Sequence, residues 1–226
     1  IRDRSPSRGL GDVYKRQICI AGESGSGKTT SMRNLDPKTT YYIDADGKGL
    51  SWKGWRKQYS QENKNYFACD EATIVRQYIK RIAEACPSVK VIVVDTINGL
   101  MVADEMRRSK EKGYDKWVDL AACVWDLVCE CYTYRDDLTI IFTAHTQTDH
   151  DENGYMFTRI KTSGKKLDKI VLESQFTTVL LSKCVDGHYK FETQANNSTA
   201  KSPMGAFDQM EIDNDIVEVL KALEDF

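Results

Sequence analysis

The chain lacks what several large functional classes require. No apolar run approaches the ~20 residues of a membrane-spanning helix, although hydrophobic residues make up 41% of the sequence, and no membrane association is expected. Charge of one sign is missing too, since 32 basic against 34 acidic side chains leave a formal net charge of −2. The whole-molecule field therefore offers no pull on nucleic acid, and such a partner would have to be met by local patches. The seven cysteines (Cys19, Cys69, Cys86, Cys123, Cys129, Cys131 and Cys184) contain no CxxC pair, and Cys129-Glu130-Cys131 is not a zinc spacing. They fall mostly within apolar helix or strand patterns, which reads as buried free thiols in a reducing cytosol. Neither a signal-peptide pattern nor an internal repeat is visible.

The length of 226 residues suffices for one α/β domain with a sizeable core, and residues 18–226 are read as that domain. The first 17 residues, Ile1 to Gln17, stand apart: they are polar, without periodicity, and carry five basic and two acidic side chains. They resemble translated sequencing-adapter read-through at the ends of assembled metagenomic genes. The rival reading is a basic arm for nucleic acid. Setting them aside as an artefactual or disordered segment moves the formal charge from −2 to −5. It also implies that the natural start of the chain is missing and the first strand truncated.

What is there begins with Gly22-Glu23-Ser24-Gly25-Ser26-Gly27-Lys28-Thr29, which fits G-x-x-x-x-G-K-[ST] at every required position. Glycines let successive backbone N–H groups converge on one oxyanion without Cβ clashes. Lys28 has the reach for β/γ-phosphates, the Thr29 hydroxyl suits Mg²⁺, and Thr30 completes the phosphate-binding set. A helix starting near Lys28 would add its positive N-terminal end. The apolar Ile18-Cys19-Ile20-Ala21 before the loop reads as the strand that such a loop needs.

A second motif is Val91-Ile92-Val93-Val94-Asp95. Four apolar, mostly β-branched residues read as a strand buried on both faces of a parallel sheet. An acid at its carboxyl end sits where open α/β sheets bind ligands, so Asp95 is the candidate to hold Mg²⁺ through water, opposite Thr29. The plainer alternative is an Asp capping Thr96-Ile97-Asn98-Gly99.

Between and after these motifs, strands alternate with helices, which predicts a parallel sheet with a late antiparallel appendage. A short helix is expected from Thr29 to about Leu35, a strand over 39–44, a loop with a short helix over 48–69, and a helix from Asp70 to Pro87. A charged stretch over 104–116 leads into an apolar helix, Trp117 to Tyr134. Strands follow at 138–144, 176–184 and 188–194, the last two joined by the hairpin signal Val185-Asp186-Gly187. Residues 146–169 read as polar loop. A terminal helix is expected from Asn214-Asp215 onward.

These residues resemble the RecA-like P-loop ATPases, in particular the small nucleotide-binding ATPases of bacteriophages, some of them single-strand annealing recombinases. The resemblance covers residues 18–226. Val91-Ile92-Val93-Val94-Asp95-Thr96 is similar to the family's second motif. Tyr42-Ile43-Asp44-Ala45-Asp46-Gly47 is similar to its strand ending in the catalytic acid, and Ile140-Ile141-Phe142-Thr143-Ala144-His145 to its sensor strand. The late stretches Ala200 to Phe207 and Ile212-Asp213-Asn214-Asp215 are also similar to the phage group. The resemblance implies an α/β RecA-type core with a mostly parallel central sheet flanked by helices and a C-terminal antiparallel hairpin. It also implies ATP and Mg²⁺ as cofactors, homo-oligomer assembly on DNA, and the host cytoplasm as location. Two positions depart from the family: Asp46 stands where Glu is usual, and His145 where Gln is usual, with Gln147 two residues on.

Among candidate catalytic residues, Lys28 and Asp95 hold the phosphates and metal. Asp46 would orient or deprotonate the attacking water, the alternative being a turn carboxylate in Asp44-Ala45-Asp46-Gly47. Glu23 is a second choice for that role, against a solvated loop position. His145, as a neutral imidazole, would contact the γ-phosphate or water, the alternative being a strand-end histidine bonded to backbone. Lys201 would reach a neighbouring subunit's nucleotide, the alternative being a surface lysine.

Two basic stretches are candidate DNA contacts: Arg107, Arg108 and Lys110, with Lys112 and Lys116; and Arg159, Lys161, Lys165 and Lys166, with Lys169. Tyr114, Trp117, Tyr155 and Phe157 are the aromatics nearby that suit base stacking. The alternative is a solvated charged face. The leading expectation is an ATPase acting with single-stranded DNA in recombination, annealing or repair. Its rivals are a small-molecule P-loop kinase, disfavoured because Arg159 is the lone arginine in the Lys-rich region after residue 146, and a nucleotide sensor without turnover. No guanine-reading N/TKxD motif is present.

Overall fold

The computed structural model describes residues 17–113, 115–150, 154–162 and 171–224. Their strands are β1 (Gln17–Gly22), β2 (Thr40–Asp44), β3 (Tyr66–Ala68), β4 (Val91–Asp95), β5 (Thr139–His150), β6 (Met156–Ile160), β7 (Thr178–Val185), β8 (His188–Glu192) and β9 (Glu211–Asp213). They form one sheet in the order β3-β2-β4-β5-β1-β7-β8-β9, with β6 paired to β5 off that path. From β3 to β7 every pairing is parallel, whereas β7-β8, β8-β9 and β5-β6 are antiparallel. This is the mostly parallel α/β sheet with late antiparallel strands that the alternating pattern predicts.

The strands are apolar on both faces because both faces are covered. In β1, Cys19 and Ala21 join one apolar cluster while Ile18 and Ile20 join the other, as period-two geometry requires. The first cluster packs under α2 (Ala72–Ala85), α3 (Ile97–Arg107) and α4 (Asp115–Glu130). In α4, Leu120, Ala121, Val124, Leu127 and Val128 make the buried stripe, at the spacing of one helical face. The second cluster gathers Met32, Leu35, Leu50, Tyr59 and, from α5 (Ile216–Ala222), Ile216 and Val219. A fully buried aliphatic or aromatic side chain of this kind contributes about 1.5–3 kcal/mol.

Parallel register sets the functional edge. Gly22 pairs with His145 and Asp44 with Asp95, so the carboxyl ends of β1, β2, β4 and β5 meet along one rim, where ligands of open α/β sheets sit.

Several local expectations change. Gln17 belongs to β1 and is fully buried, its Nε2 donating to Val128 O at 2.7 Å. The short helix after the loop is only a 3-10 turn, Thr30–Met32, so little helix dipole is added there. Within 48–69 the short helix is α1 (Trp55–Gln58), and β3 adds an edge strand. The segment after residue 145 continues as β5 to His150 and returns as β6. Those backbone groups find sheet partners although their side chains carry no apolar alternation. The β7-β8 turn is tight, with Asp186 at φ 52° and Gly187 at φ 80°, the pair of left-handed residues that two-residue hairpins favour.

Candidate phosphate-binding site

The loop after β1 owes its shape to its glycines. Gly25 and Gly27 adopt φ 80° and 97°, and a Cβ on Gly22 would lie 2.6 Å from Ser182 O. From behind, Ser182 Oγ donates to Ser26 O at 2.7 Å, and Asn214 Nδ2 donates to Ser182 Oγ at 3.1 Å. Glu23, Ser24 and Gly25 are exposed at the tip, whereas Ser26, Gly27 and Lys28 are buried. The Lys28 ammonium donates to Gly22 O at 2.9 Å and Glu23 O at 2.7 Å. Burial pulls its pKa down to about 8, opposed by Asp95 and Asp46.

Asp95 ends β4 and is buried. Its Oδ2 accepts from Thr29 Oγ1 at 2.8 Å and from the Tyr42 hydroxyl at 2.6 Å, and its Oδ1 accepts from Thr143 Oγ1. Burial, then the Asp95 charge, raises the Tyr42 phenol well above its usual range, so it stays a donor. These are hard oxygen ligands beside a phosphate loop, a donor set that fits Mg²⁺. Among the described residues no group of three or more His, Cys, Asp or Glu converges on a metal. The ion would therefore arrive with phosphate oxygens and water completing its shell. Thr96, next in the chain, takes the capping role at α3: its Oγ1 accepts from Gly99 N at 3.0 Å.

The carboxylates after β2 divide their work. Asp44, buried, accepts from Gly47 N at 2.8 Å, Gly49 N at 2.7 Å and the Tyr66 hydroxyl at 2.7 Å. It is the turn carboxylate. Asp46 accepts from Thr96 Oγ1 at 3.1 Å and from Lys48 Nζ at 2.9 Å; both carboxylates line the cleft, but Asp46 is not engaged by the turn amides.

His145 comes within 3.5 Å of Lys28 Nζ through Nδ1. Desolvation, then the Lys28 charge, lowers its pKa, so it is neutral at pH 7. Asn98 pins it: His145 N donates to Asn98 Oδ1 at 2.6 Å, and Asn98 Nδ2 donates to Lys161 O at 2.7 Å. Lys28, Thr29, Thr30, Asp46, Asp95 and His145 share a cleft of about 420 Å³.

Other candidates lie elsewhere. Lys201 bridges Val179 through its backbone, partly buried, and burial lowers its pKa against the pull of Glu173; it is not a projecting surface lysine. Arg107 binds Asp70, and Arg108 binds Glu111 and Asp119. Lys110 and Lys161 are exposed, and Arg159 pairs with Asp149. Lys116 is buried, donating to Arg108 O at 2.6 Å, so it offers nothing to a nucleic acid. Lys165, Lys166, Lys169 and Tyr114 lie outside the described residues. Sequence reasoning did not single out Tyr42, Thr143, Asn98 and Asn214. The available signal was weak, because Tyr42 stands beside a second tyrosine in β2 and Thr143 is one of several threonines in β5.

A glycine-bracketed loop on a parallel strand, its threonine hydrogen-bonded to an acid two strands away, defines a P-loop nucleotide-binding domain. A family model described as an AAA domain matches residues 14–203, and the chain belongs to that family of P-loop ATPase domains. No curated protein matches it. No helix of the described residues is long and apolar enough to cross a membrane.

Proposed function

We propose that this domain is a Mg²⁺-dependent ATPase of the RecA-like type whose nucleotide state controls binding to single-stranded DNA in phage recombination, annealing or repair, as a homo-oligomer. The observation that carries the nucleotide half is the 2.8 Å hydrogen bond from Thr29 Oγ1 to Asp95 Oδ2 beside the Lys28 ammonium. On this reading Lys28 leaves Gly22 O and Glu23 O for the β/γ-phosphates, and the loop amides take the remaining oxygens. Mg²⁺ held by Thr29 and Asp95 would neutralise charge on the β- and γ-phosphates. Asp46 orients the attacking water, and neutral His145 donates toward the γ-phosphate.

The DNA half rests on exposed Lys110 and Lys161 together with Lys165 and Lys166 and, once released from their carboxylates, Arg107, Arg108 and Arg159. Phosphate release measured with and without single-stranded DNA tests the whole reading. Stimulation supports it, and turnover indifferent to DNA removes the DNA half.

A small-molecule kinase is the second reading, favoured by a neighbouring cleft of about 500 Å³ that shares Asp46, Lys48 and His145. Room for a phosphoryl acceptor lies there, and label transfer from γ-phosphate to a metabolite distinguishes it from transfer to water.

A further inference from the structure

We propose that Tyr189 is the platform on which the purine base of a bound nucleotide stacks, a proposal that rests on the triphosphate reading of the cleft. Tyr189 is the second residue of β8 and 46% exposed. It belongs to neither apolar cluster, so core packing does not account for it. Its ring edge lies on the phosphate loop, where a Cβ added to Gly27 would meet Tyr189 Cδ1 at 2.7 Å.

Strand geometry aims it there. Phe191, two residues on and therefore on the same face, is buried in one cluster with Met32 and pairs with Ser182, whose hydroxyl holds the loop at Ser26 O. Tyr189 continues that face to the rim, where it lines the phosphate cleft with Thr30, Gly49 and Ser51. Asp46, Lys48 and His145 also line the neighbouring cleft, but Tyr189 does not. In the sheet order β2-β4-β5-β1-β7-β8, β8 lies on the opposite side of the phosphate-loop strand β1 from the strands that end at Asp95 and His145, so Tyr189 reaches the cleft from the side away from those two groups, where the nucleoside is placed in this proposal.

The hairpin presenting it is closed by the tight Asp186-Gly187 turn and held in register by the Cys184–Tyr189 pair. An aromatic ring on a fixed strand offers a flat apolar face at small entropic cost. Stacking of this kind accepts any purine, so Tyr189 gives affinity without choosing between adenine and guanine.

The test compares MgATP with magnesium tripolyphosphate, which has the phosphates and no base, by calorimetry on the full chain. Wild-type protein is expected to bind ATP more tightly than tripolyphosphate. Tyr189→Ala is expected to lose about tenfold or more of the ATP affinity while holding tripolyphosphate within about twofold, and Tyr189→Phe to keep both. Equal losses for both ligands overturn the proposal and make Tyr189 a prop for Gly27. Unchanged ATP affinity in Tyr189→Ala overturns it as well, as does wild-type protein that binds both ligands alike. Wild-type protein that takes up neither ligand removes the triphosphate reading and the stacking with it.

Discussion

The Thr29 hydroxyl donates a hydrogen bond to Asp95 Oδ2 across 2.8 Å, although the two are separated by 66 residues and by the intervening strand β5. The bond puts a hydroxyl and a carboxylate where one hard cation can join both. Asp95→Asn keeps the size, but its single amide oxygen accepts on only one of the two sides now bonded by Tyr42 and by Thr143, the hydroxyl on the other side turning to accept from the amide, and it removes the charge that attracts Mg²⁺. The fold is expected to persist and Mg²⁺-dependent phosphate release to fall by about 10² or more. A magnesium titration of turnover checks it, and an unchanged half-saturating concentration would exclude Asp95 as a ligand.

Lys28 gives a pH signature. Its ammonium is held at about pKa 8, down from 10.5, chiefly by burial. A bound triphosphate favours the charged form and raises that pKa again. Below pH 7 free and bound protein both carry the proton, and Lys28 adds no pH dependence to ATP binding. Above pH 8 the free protein has lost a proton that the complex keeps, so binding takes one up and affinity declines by up to about tenfold per pH unit. Calorimetry at pH 8.5 in two buffers of different ionisation enthalpy reads that uptake directly. Lys28→Ala should abolish both the affinity and the proton uptake.

Asp44 and Asp46 should fail in different ways. Asp44→Asn disturbs the acceptor of Gly47 N, Gly49 N and the Tyr66 hydroxyl and is expected to cost about 1–3 kcal/mol of stability, seen as a lowered melting temperature. Asp46→Asn should leave melting nearly unchanged, retain ATP binding and slow turnover by orders of magnitude. If the Asp46 variant melts early and turns over normally, the roles assigned to the pair are reversed.

His145 should act as a neutral hydrogen-bonding group. Its pKa lies below the ordinary 6.5 because burial and Lys28 disfavour the charged ring. Turnover is therefore expected to show no His145 titration between pH 7 and 8. His145→Gln should keep kcat within several-fold, while His145→Ala loses about 10². Equal losses in both variants would mean that the imidazole acts through its proton.

For the DNA half, Lys165→Ala together with Lys166→Ala should lower the salt slope of single-stranded DNA binding by up to ~2. Titration at several salt concentrations reads it, and an unaltered slope excludes those lysines.

The loop at Gly22 to Thr29 and the strand ending at Asp95 were legible in the sequence because each is a continuous segment whose residue types state its backbone geometry and burial. The long periodic elements α2 and α4 were legible for the same reason. Short edge strands were not: β3 and β9 have three residues each, too few for a period. The extension of β5 past His145 was hidden because its pairing with β6 rests on backbone hydrogen bonds between polar residues, which carry no hydrophobic signal.

The sequence alone determined the phosphate loop, the acid opposite it and the alternation that makes a parallel sheet. Tertiary structure decided which of two neighbouring aspartates is engaged by turn amides, which tyrosine and threonine orient Asp95, and that Lys116 is buried. Those outcomes depend on strand register and on which side of a turn each side chain leaves. Register is a sum over contacts between residues distant in the chain, so no local stretch of sequence contains it.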